Sequence, residues 1–406
     1  MCYLRVLSKN VNVKLNEEEI VENLYVIGSG PGDESMLTGR AKNIINTAQR
    51  VLNTRETPLP VLLSDLKTAC NNTVVLVSGD SGFFSLAKTI VQDFSDRYDI
   101  ELLPGISSVQ YLSAKLKIPY DDAVLISLHG RNINIVPKVA YNKKVFALTG
   151  GDNSAKDVCR LLTRYGLGCV SVRVGERLSY TDEGIVSGSA AELADMDFNG
   201  LSVIYIDNPS ATNPFIPLRD NDFIRGNTPM TKEEIRWLSI SKLGVHPQDT
   251  VFDIGAGTGS VTVELARKAY DGFVYAIEAK ETACDLVRKN ATKHGAFNIE
   301  IVNGKAPSAI ENLPIPDRAF IGGSSGKLDG ILEKLTSMNP DIRIVINAIT
   351  LQTVNQAVEG LKKHGFADTE IICVNIAKSK TTGNYDLMTA QNPVYIISGG
   401  AHGTDH

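Results

Sequence analysis

From Leu24 onward, short apolar runs alternate with segments whose apolar residues recur at helical spacing. The runs are only a few residues long and are bounded by Gly, Pro, Asn and Asp, which marks them as strands. Strands are predicted at 24–27, 50–53, 73–77, 100–103, 123–127, 145–148 and 202–206. A second series is predicted at 250–254, 273–277, 299–302, 319–321, 343–346 and 391–397. Between the first two strands, Met36, Leu37, Ala41, Ile44, Ile45 and Ala48 form a helical stripe. Asp33 and Glu34 precede it, and acids suit the positive end of a helix. Strands alternating with helices predict α/β layers in both series.

Asn208-Pro209-Ser210-Ala211-Thr212-Asn213-Pro214 interrupts both periodicities and reads as a connector. At 406 residues the chain exceeds the ~250–300 at which one core stops growing, so more than one domain is required. The expected division is an extension at 1–21, a first domain at 22–208, a linker at 209–222 and a second domain at 223–406. Thr231-Lys232-Glu233-Glu234 has the wording of a capping box at the start of the second domain's first helix.

Composition narrows the function. A hydrophobic fraction of 43% and a charged fraction of 21% are those of an ordinary globular protein. No apolar run approaches the ~20 residues of a membrane helix, and no secretory leader is visible. A net charge of -5 argues against a nucleic-acid partner, which wants a basic face. The six cysteines lie apart without any CxxC pair and the six histidines are dispersed, so no metal site is expected. Reduced thiols imply a cytoplasmic location.

Two glycine-rich turns carry the chemistry. In the second, Asp253-Ile254-Gly255-Ala256-Gly257-Thr258-Gly259 leads from a strand into a helix, as a nucleotide-type site requires. About 20 residues further on, the next strand ends at Glu278, an acid placed to accept both ribose hydroxyls. Gly322-Gly323-Ser324-Ser325 closes the fourth strand and is expected to border a substrate. Asn347 ends the fifth strand and is a candidate for the same cleft.

The first turn, Gly28-Ser29-Gly30-Pro31-Gly32-Asp33, lacks a ribose acid at the end of the next strand. Ser78-Gly79-Asp80-Ser81-Gly82-Phe83 and Pro104-Gly105-Ile106-Ser107-Ser108 repeat its strand-to-helix layout. Three small-residue loops at strand ends describe a ligand cleft.

The segments VIGSGPGD, VSGDSGFFSLA, LLPGISSVQYL, DDAVLISLHGR and ALTGGDN together resemble the tetrapyrrole methylase family, the class III methyltransferases. LHGR and GISSVQ look most like its precorrin C5-methylating branch. PMTKEEIRWLSISKLGV, DIGAGTGSVTVELA and AFIGGSSG are similar to the enzymes that methylate C15 of a precorrin and decarboxylate it. The resemblance implies two α/β subdomains in the first domain, with S-adenosylmethionine between them, followed by a Rossmann-like class I methyltransferase. It places Pro31, Gly79, Asp80, Ser81, Phe83, Ser107, Ser108, Thr149 and Gly150 at the first cofactor. At the second it places Thr231, Gly255, Ala256, Gly257, Thr258, Gly259, Glu278 and Ala306. Glu278 departs from the aspartate more frequent in the family.

The implied partner is a precorrin or cobalt-precorrin, and a homo-oligomer is expected. Such a substrate bears many carboxylates, for which Arg131 and Arg225 are candidates. His129 is a candidate for proton transfer. Methyl transfer asks mainly for alignment and exclusion of water, which agrees with the missing Ser-His-Asp or Cys-His arrangement. Two other readings stay open: a dinucleotide-dependent oxidoreductase and a non-catalytic tetrapyrrole-binding protein.

Overall fold

The computed structural model describes residues 22–68, 72–129, 133–151, 153–198, 200 and 202–400. The described chain forms two compact units. One holds the residues up to Pro119 together with Gly175–Gly184, and the other holds Tyr120–Val174 and everything from Ile185.

In the first unit, β1 (Glu22–Gly28), β2 (Arg50–Asn53), β3 (Thr73–Val77) and β4 (Tyr98–Leu103) form a sheet in the order β2-β3-β1-β4. All pairings are parallel. Helices α1 (Gly39–Thr47), α2 (Leu59–Leu66), α3 (Ala87–Phe94) and α4 (Ser108–Leu116) connect and follow these strands. Side chains alternate across a strand, so each face of β1 enters a different core. Leu24 and Val26 pack with Leu62, Val75 and Ile90, whereas Ile27 packs with Ala41, Val74 and Leu103. Burying one such side chain contributes roughly 1.5–3 kcal/mol. Asp33 caps a short 3-10 turn at Glu34–Met36, and Thr38 caps α1, so the acids lie one turn before the α-helix proper.

The second unit begins with β5 (Val124–Ser127), α5 (Ile135–Tyr141), β6 (Lys144–Leu148), α6 (Ala155–Arg164), β7 (Ser171–Glu176, held by this unit up to Val174), β8 (Gly184–Ser189, from Ile185 on), α7 (Ala190–Leu193) and β9 (Ser202–Asp207). These strands form a five-stranded sheet in the order β5-β6-β9-β7-β8.

It continues with α8 (Glu233–Leu243), β10 (Thr250–Ile254), α9 (Ser260–Lys268), β11 (Phe273–Glu278), α10 (Glu281–Lys293), β12 (Ile299–Asn303) and β13 (Arg318–Ile321). Then come α11 (Leu328–Met338), β14 (Arg343–Ala348), α12 (Leu351–Lys363), β15 (Asp368–Val374), β16 (Ala377–Thr382), β17 (Tyr385–Ala390) and β18 (Val394–Gly400). A seven-stranded sheet runs β12-β11-β10-β13-β14-β18-β15, with β18 antiparallel to both neighbours. Phe252 and Ile254 face one core and Val251 the other. The sequence reading missed β7, β8, β15, β16 and β17: the last four bury no position fully and leave only a weak apolar signal, whereas β7 buries Val172 and Val174 but is interrupted by Arg173 and Gly175.

The connector is anchored along its length. Asn208 is buried and donates from Nδ2 to the Val139 carbonyl at 2.8 Å, while Thr212 N–H reaches the Ala140 carbonyl at 3.0 Å. Arg267, buried beside Glu264, donates to the carbonyls of Asn213 at 2.6 Å and Ile216 at 3.1 Å. Glu264 accepts from Leu218 N–H at 2.6 Å. Lys138 of α5 ion-pairs with Asp271, and the rings of Tyr165 and Phe297 lie 5.3 Å apart. A Pro- and Asn-rich composition signals absence of regular structure, and here that irregular backbone is satisfied by buried side chains.

The expected capping box at Thr231 is absent. Lys232 is the N-cap of α8 and makes no side-chain cap, since its ammonium has no acceptor for the first-turn amides, and Glu233 beside it accepts from Asp220 N–H at 2.7 Å. The Thr231 carbonyl instead receives the fully buried Arg236 guanidinium at 2.8 Å. Among the described residues no helix is long and apolar enough to cross a membrane.

Candidate active sites

The seven-stranded sheet reverses its direction of winding between β10 and β13, and open α/β sheets bind ligands at that point. The loops leaving these two strands touch there. Gly255 has φ +81° and sits so close to Gly323 that a Cβ would fall 2.8 Å from the Gly323 nitrogen. Only glycine allows both the conformation and the approach. The amides of Gly255 and Ala256 donate to the Ile277 carbonyl at 2.9 and 3.2 Å, which ties the loop to β11.

β11 then delivers Glu278. Its Oε2 accepts from Gly257 N–H and its Oε1 from Lys280 N–H, both at 2.9 Å. Each oxygen keeps a lone pair free for a further donor. Beneath the loop, Asp253 is completely buried, accepts from Thr262 Oγ1 at 2.5 Å and leaves Oδ1 without a partner among the described residues. Burial, with a smaller contribution from nearby Glu278, pushes its carboxyl up to about 7.

These elements bound a cleft of about 670 Å³. Its lining includes Thr231, Gly255, Ala256, Gly257, Thr258, Glu278 and Ala306, all predicted cofactor positions. Gly322, Gly323, Ser324, Ser325 and Asn347 line it as well. Gly259 does not, because it packs against Val287, where a Cβ would lie 2.9 Å from Cα. Among the described residues Thr258 Oγ1 and Asn347 Nδ2 are buried polar atoms without partners, and Asn347 Oδ1 accepts from Ser239 Oγ at 3.0 Å. Arg225 turns aside to the Asp220 carbonyl and Asn221 at 3.1 and 3.4 Å. The cleft's cationic residues are Lys232, Lys280 and Lys305, which sequence reasoning passed over because isolated lysines carry no motif.

In the first unit, the three predicted loops are laced to one another. Gly30 and Gly79 exchange backbone hydrogen bonds at 3.0 and 2.9 Å. Gly28 lies against the third loop, where a Cβ would fall 2.6 Å from the Gly105 nitrogen. Asp80 Oδ1 accepts from Gly105 N–H at 3.0 Å and Oδ2 from Gly82 N–H at 3.1 Å. Ser81 Oγ donates to the Leu103 carbonyl at 2.9 Å. Pro31 is buried, and Phe83 meets Phe84 edge-on at 4.6 Å. Ser107 forms a capping box with Gln110, and Ser108 is the first residue of α4. Arg55, which no sequence signal singled out, donates to the Gly30 carbonyl at 2.6 Å and to Ser78 Oγ at 3.2 Å.

In the second unit, Thr149 follows β6 and donates from Oγ1 to the Ser202 carbonyl at 2.8 Å. His129 is exposed, and its ring occupies the space that a Cβ on Gly150 would need. Thr149, Gly150 and His129 thus cluster at adjacent strand ends. Arg131 lies outside the described residues.

The strand order, the glycine loop and the acid ending β11 define a Rossmann-like class I methyltransferase, whose cofactor is S-adenosylmethionine. The residues present fit that group: a glycine cradle, a carboxylate with free lone pairs and an unpartnered threonine hydroxyl. Residues 222–399 match the precorrin methyltransferase domain family, and residues 62–194 match the tetrapyrrole (corrin/porphyrin) methylases. A probable cobalt-precorrin-6B C(15)-methyltransferase (decarboxylating) of Saccharolobus solfataricus is 46% identical over 191 residues, covering 46% of this chain and 95% of that protein. A similar protein of Pyrobaculum calidifontis is 40% identical over 193 residues, covering 47% of this chain and 97% of that one. The precorrin-6Y C(5,15)-methyltransferase (decarboxylating) of a Sinorhizobium species is 29% identical over 376 residues, covering 90% of this chain and 85% of that protein. The chain belongs to the precorrin methyltransferases, with a tetrapyrrole methylase region preceding the precorrin methyltransferase domain. It is an S-adenosylmethionine-dependent methyltransferase, and the oxidoreductase and carrier readings fall away.

Proposed function

We propose that this chain carries out two methylations of one corrin precursor. The tetrapyrrole methylase region methylates C5 of a precorrin or cobalt-precorrin. The class I domain methylates C15 and releases the acetate carboxylate of ring C as carbon dioxide. The cleft at the switch point, with Glu278, Thr258 and the glycine cradle converging on it, is the observation that carries the reading. The colinear likeness to a C(5,15) enzyme over 90% of the chain supports it.

The cofactor supplies an electrophilic methyl group. Glu278 holds the ribose, Gly255 to Thr258 lie along the cofactor, and Ala306 borders the adenine. Gly322, Gly323, Ser324 and Ser325 bring bare backbone and small hydroxyls against the planar substrate. The attacking atom is an electron-rich ring carbon, so the protein's part is alignment and exclusion of water. In the decarboxylation the bond from the acetate methylene to its carboxylate breaks, and the electron pair enters the conjugated system of the methylated ring. In the first region Pro31, Gly79, Asp80, Ser81, Phe83, Ser107 and Ser108 are assigned to the C5 reaction, as are Thr149 and Gly150. We read His129 as a group that exchanges a proton with the substrate, and Arg131 as a carboxylate partner. The enzyme is read as a cytoplasmic homo-oligomer without nucleic-acid or membrane partners; light scattering tests the oligomer.

Mass spectrometry of the product, after incubation with S-adenosylmethionine and precorrin-6 substrate with and without cobalt, tests the reading. Gain of two methyl groups with loss of carbon dioxide is expected. A single methyl without decarboxylation removes the assignment of the second domain, and no change with either ring removes both.

A further inference from the structure

A cleft of about 670 Å³ lies within the range that encloses one drug-sized ligand. On the reading above it must take S-adenosylmethionine and part of a tetrapyrrole, a ring system with far more atoms than the cofactor. The cleft is open to solvent, so part of the macrocycle can lie past its rim. One stretch of that rim is the base of the β16–β17 hairpin. Ile376 and Gln391, the residues flanking it, both line the cleft and are joined by Gln391 N–H to the Ile376 carbonyl at 2.8 Å.

The hairpin register pairs Lys378 with Thr389, Lys380 with Leu387 and Thr382 with Tyr385. Alternation puts these six on one face, and Ser379, Thr381, Asp386 and Met388 on the other. Lys378 fixes which way the first face turns. Its Nζ lies 2.6 Å from Glu234 Oε1 and 3.2 Å from Glu233 Oε1, in the first turn of α8. The same helix sends Ile235 into the cleft lining, and Lys232 just before it does likewise. The face bearing Lys378 therefore looks toward the α8 side of the cleft, and Lys380, Leu387 and Tyr385 continue it outward. Tyr385 is 75% exposed and Leu387 55% exposed, although each is large and apolar. Among the described residues Lys380 makes no ion pair.

We propose that this hairpin face is a docking platform for the part of the corrin macrocycle that projects from the cleft. Leu387 and Tyr385 lie under the ring edge, and Lys380 pairs with a peripheral carboxylate. Continuity with the cleft through Ile376 and Gln391, and an unpaired cation on the face they share with Lys380, favour a polycarboxylate macrocycle as occupant; exposed apolar surface is present on both faces, Met388 being 67% exposed on the other. The inference rests on the function proposed above.

The test uses the full chain with Leu387→Asp, Lys380→Glu and, on the opposite face, Met388→Asp. All three sites are exposed, so the fold should tolerate the changes, which thermal unfolding verifies. KM for the C15 reaction is expected to rise about tenfold in Leu387→Asp and in Lys380→Glu. Maximal rate, S-adenosylmethionine affinity by calorimetry, and the C5 reaction should stay within about twofold of the unaltered chain. Met388→Asp should match the unaltered chain throughout. An unchanged KM in the first two variants overturns the platform and leaves the proposed function standing. An equal rise in all three, or a smaller assembly by light scattering together with lost activity, also overturns it and assigns the hairpin to contact between copies. Absence of any C15 methylation by the unaltered chain brings down the proposed function and the platform with it.

Discussion

The two glycine turns begin alike, Val26-Ile27-Gly28 against Asp253-Ile254-Gly255, and their surroundings put the same grammar to different use. In the first unit the glycines let three loops press on one another. Gly28 meets Gly105, Gly30 pairs with Gly79, and both oxygens of Asp80 are engaged by loop amides. In the second unit Gly255 meets Gly323 at the winding reversal, and the remaining loop backbone opens onto a cleft. The buried slot two residues ahead of the first glycine is valine in one and aspartate in the other. A glycine motif thus reports close approach of backbone; what approaches is decided elsewhere.

Substitutions can break this contrast at either end. Gly105→Ala is expected to have the largest effect. Its Cβ would collide with the carbonyl oxygens of Gly28 and Gly79, neither of which can yield without moving a strand end. A loss of more than ~3 kcal/mol confined to the first unit is expected, read as a lowered first transition in thermal unfolding. Retention of the C15 methylation is expected in the same variant, and its loss would show that the two units depend on each other.

Glu278→Ala should weaken S-adenosylmethionine at the second site about 100-fold, since hydrogen bonds to a charged acceptor contribute ~1.5–3 kcal/mol each. Calorimetry on the intact protein should then resolve one cofactor site where the unaltered chain has two. Two undiminished sites would remove Glu278 from cofactor binding. Asp80→Asn keeps one acceptor and loses the other, so one of the two amide contacts fails. The C5 rate should fall about tenfold with the C15 rate intact, which product mass spectra distinguish.

The smallest effect concerns pH. Burial raises the Asp253 carboxyl from 3.8 to about 7, so the folded state holds a proton that the unfolded chain releases. The contribution of that proton is complete below about pH 4 and is lost as pH rises through about 7. Asp253→Asn removes this titration. The melting temperature of the variant should therefore gain on that of the unaltered chain between about pH 4 and 7, and be parallel to it above. Parallel curves across that window would mean that Asp253 does not titrate there.

Strands buried on both faces were legible from the chain because their sequence is a continuous apolar run: Thr73-Val74-Val75-Leu76-Val77 and Thr250–Ile254 are strands as expected. The exposed hairpin strands β16 and β17 were not, since nearly every position faces solvent and no burial period is imposed on them. Thr231 and Glu234 satisfied a local capping rule that Asp220 and Lys378, from distant parts of the chain, overruled by engaging Glu233 and Glu234. Likewise Arg225 and the clefts' lysines are equivalent as letters, and packing alone turns one aside and leaves Lys232, Lys280 and Lys305 at the cleft.

By itself, then, the sequence determined the α/β class, the order of the two modules and the glycine turns with Glu278, all of them properties of short segments. Backbone conformation, side-chain period and strand-to-helix spacing act over a few residues and leave their mark in consecutive letters. The tertiary structure alone decided that Asp80 staples loops, that residues 213–218 are gripped by Arg267 and Glu264, and that the hairpin face turns toward α8. Each of these depends on hydrogen bonds and ion pairs between residues far apart in the chain, whose partners are chosen by packing and by the cost of burying a polar group unpaired.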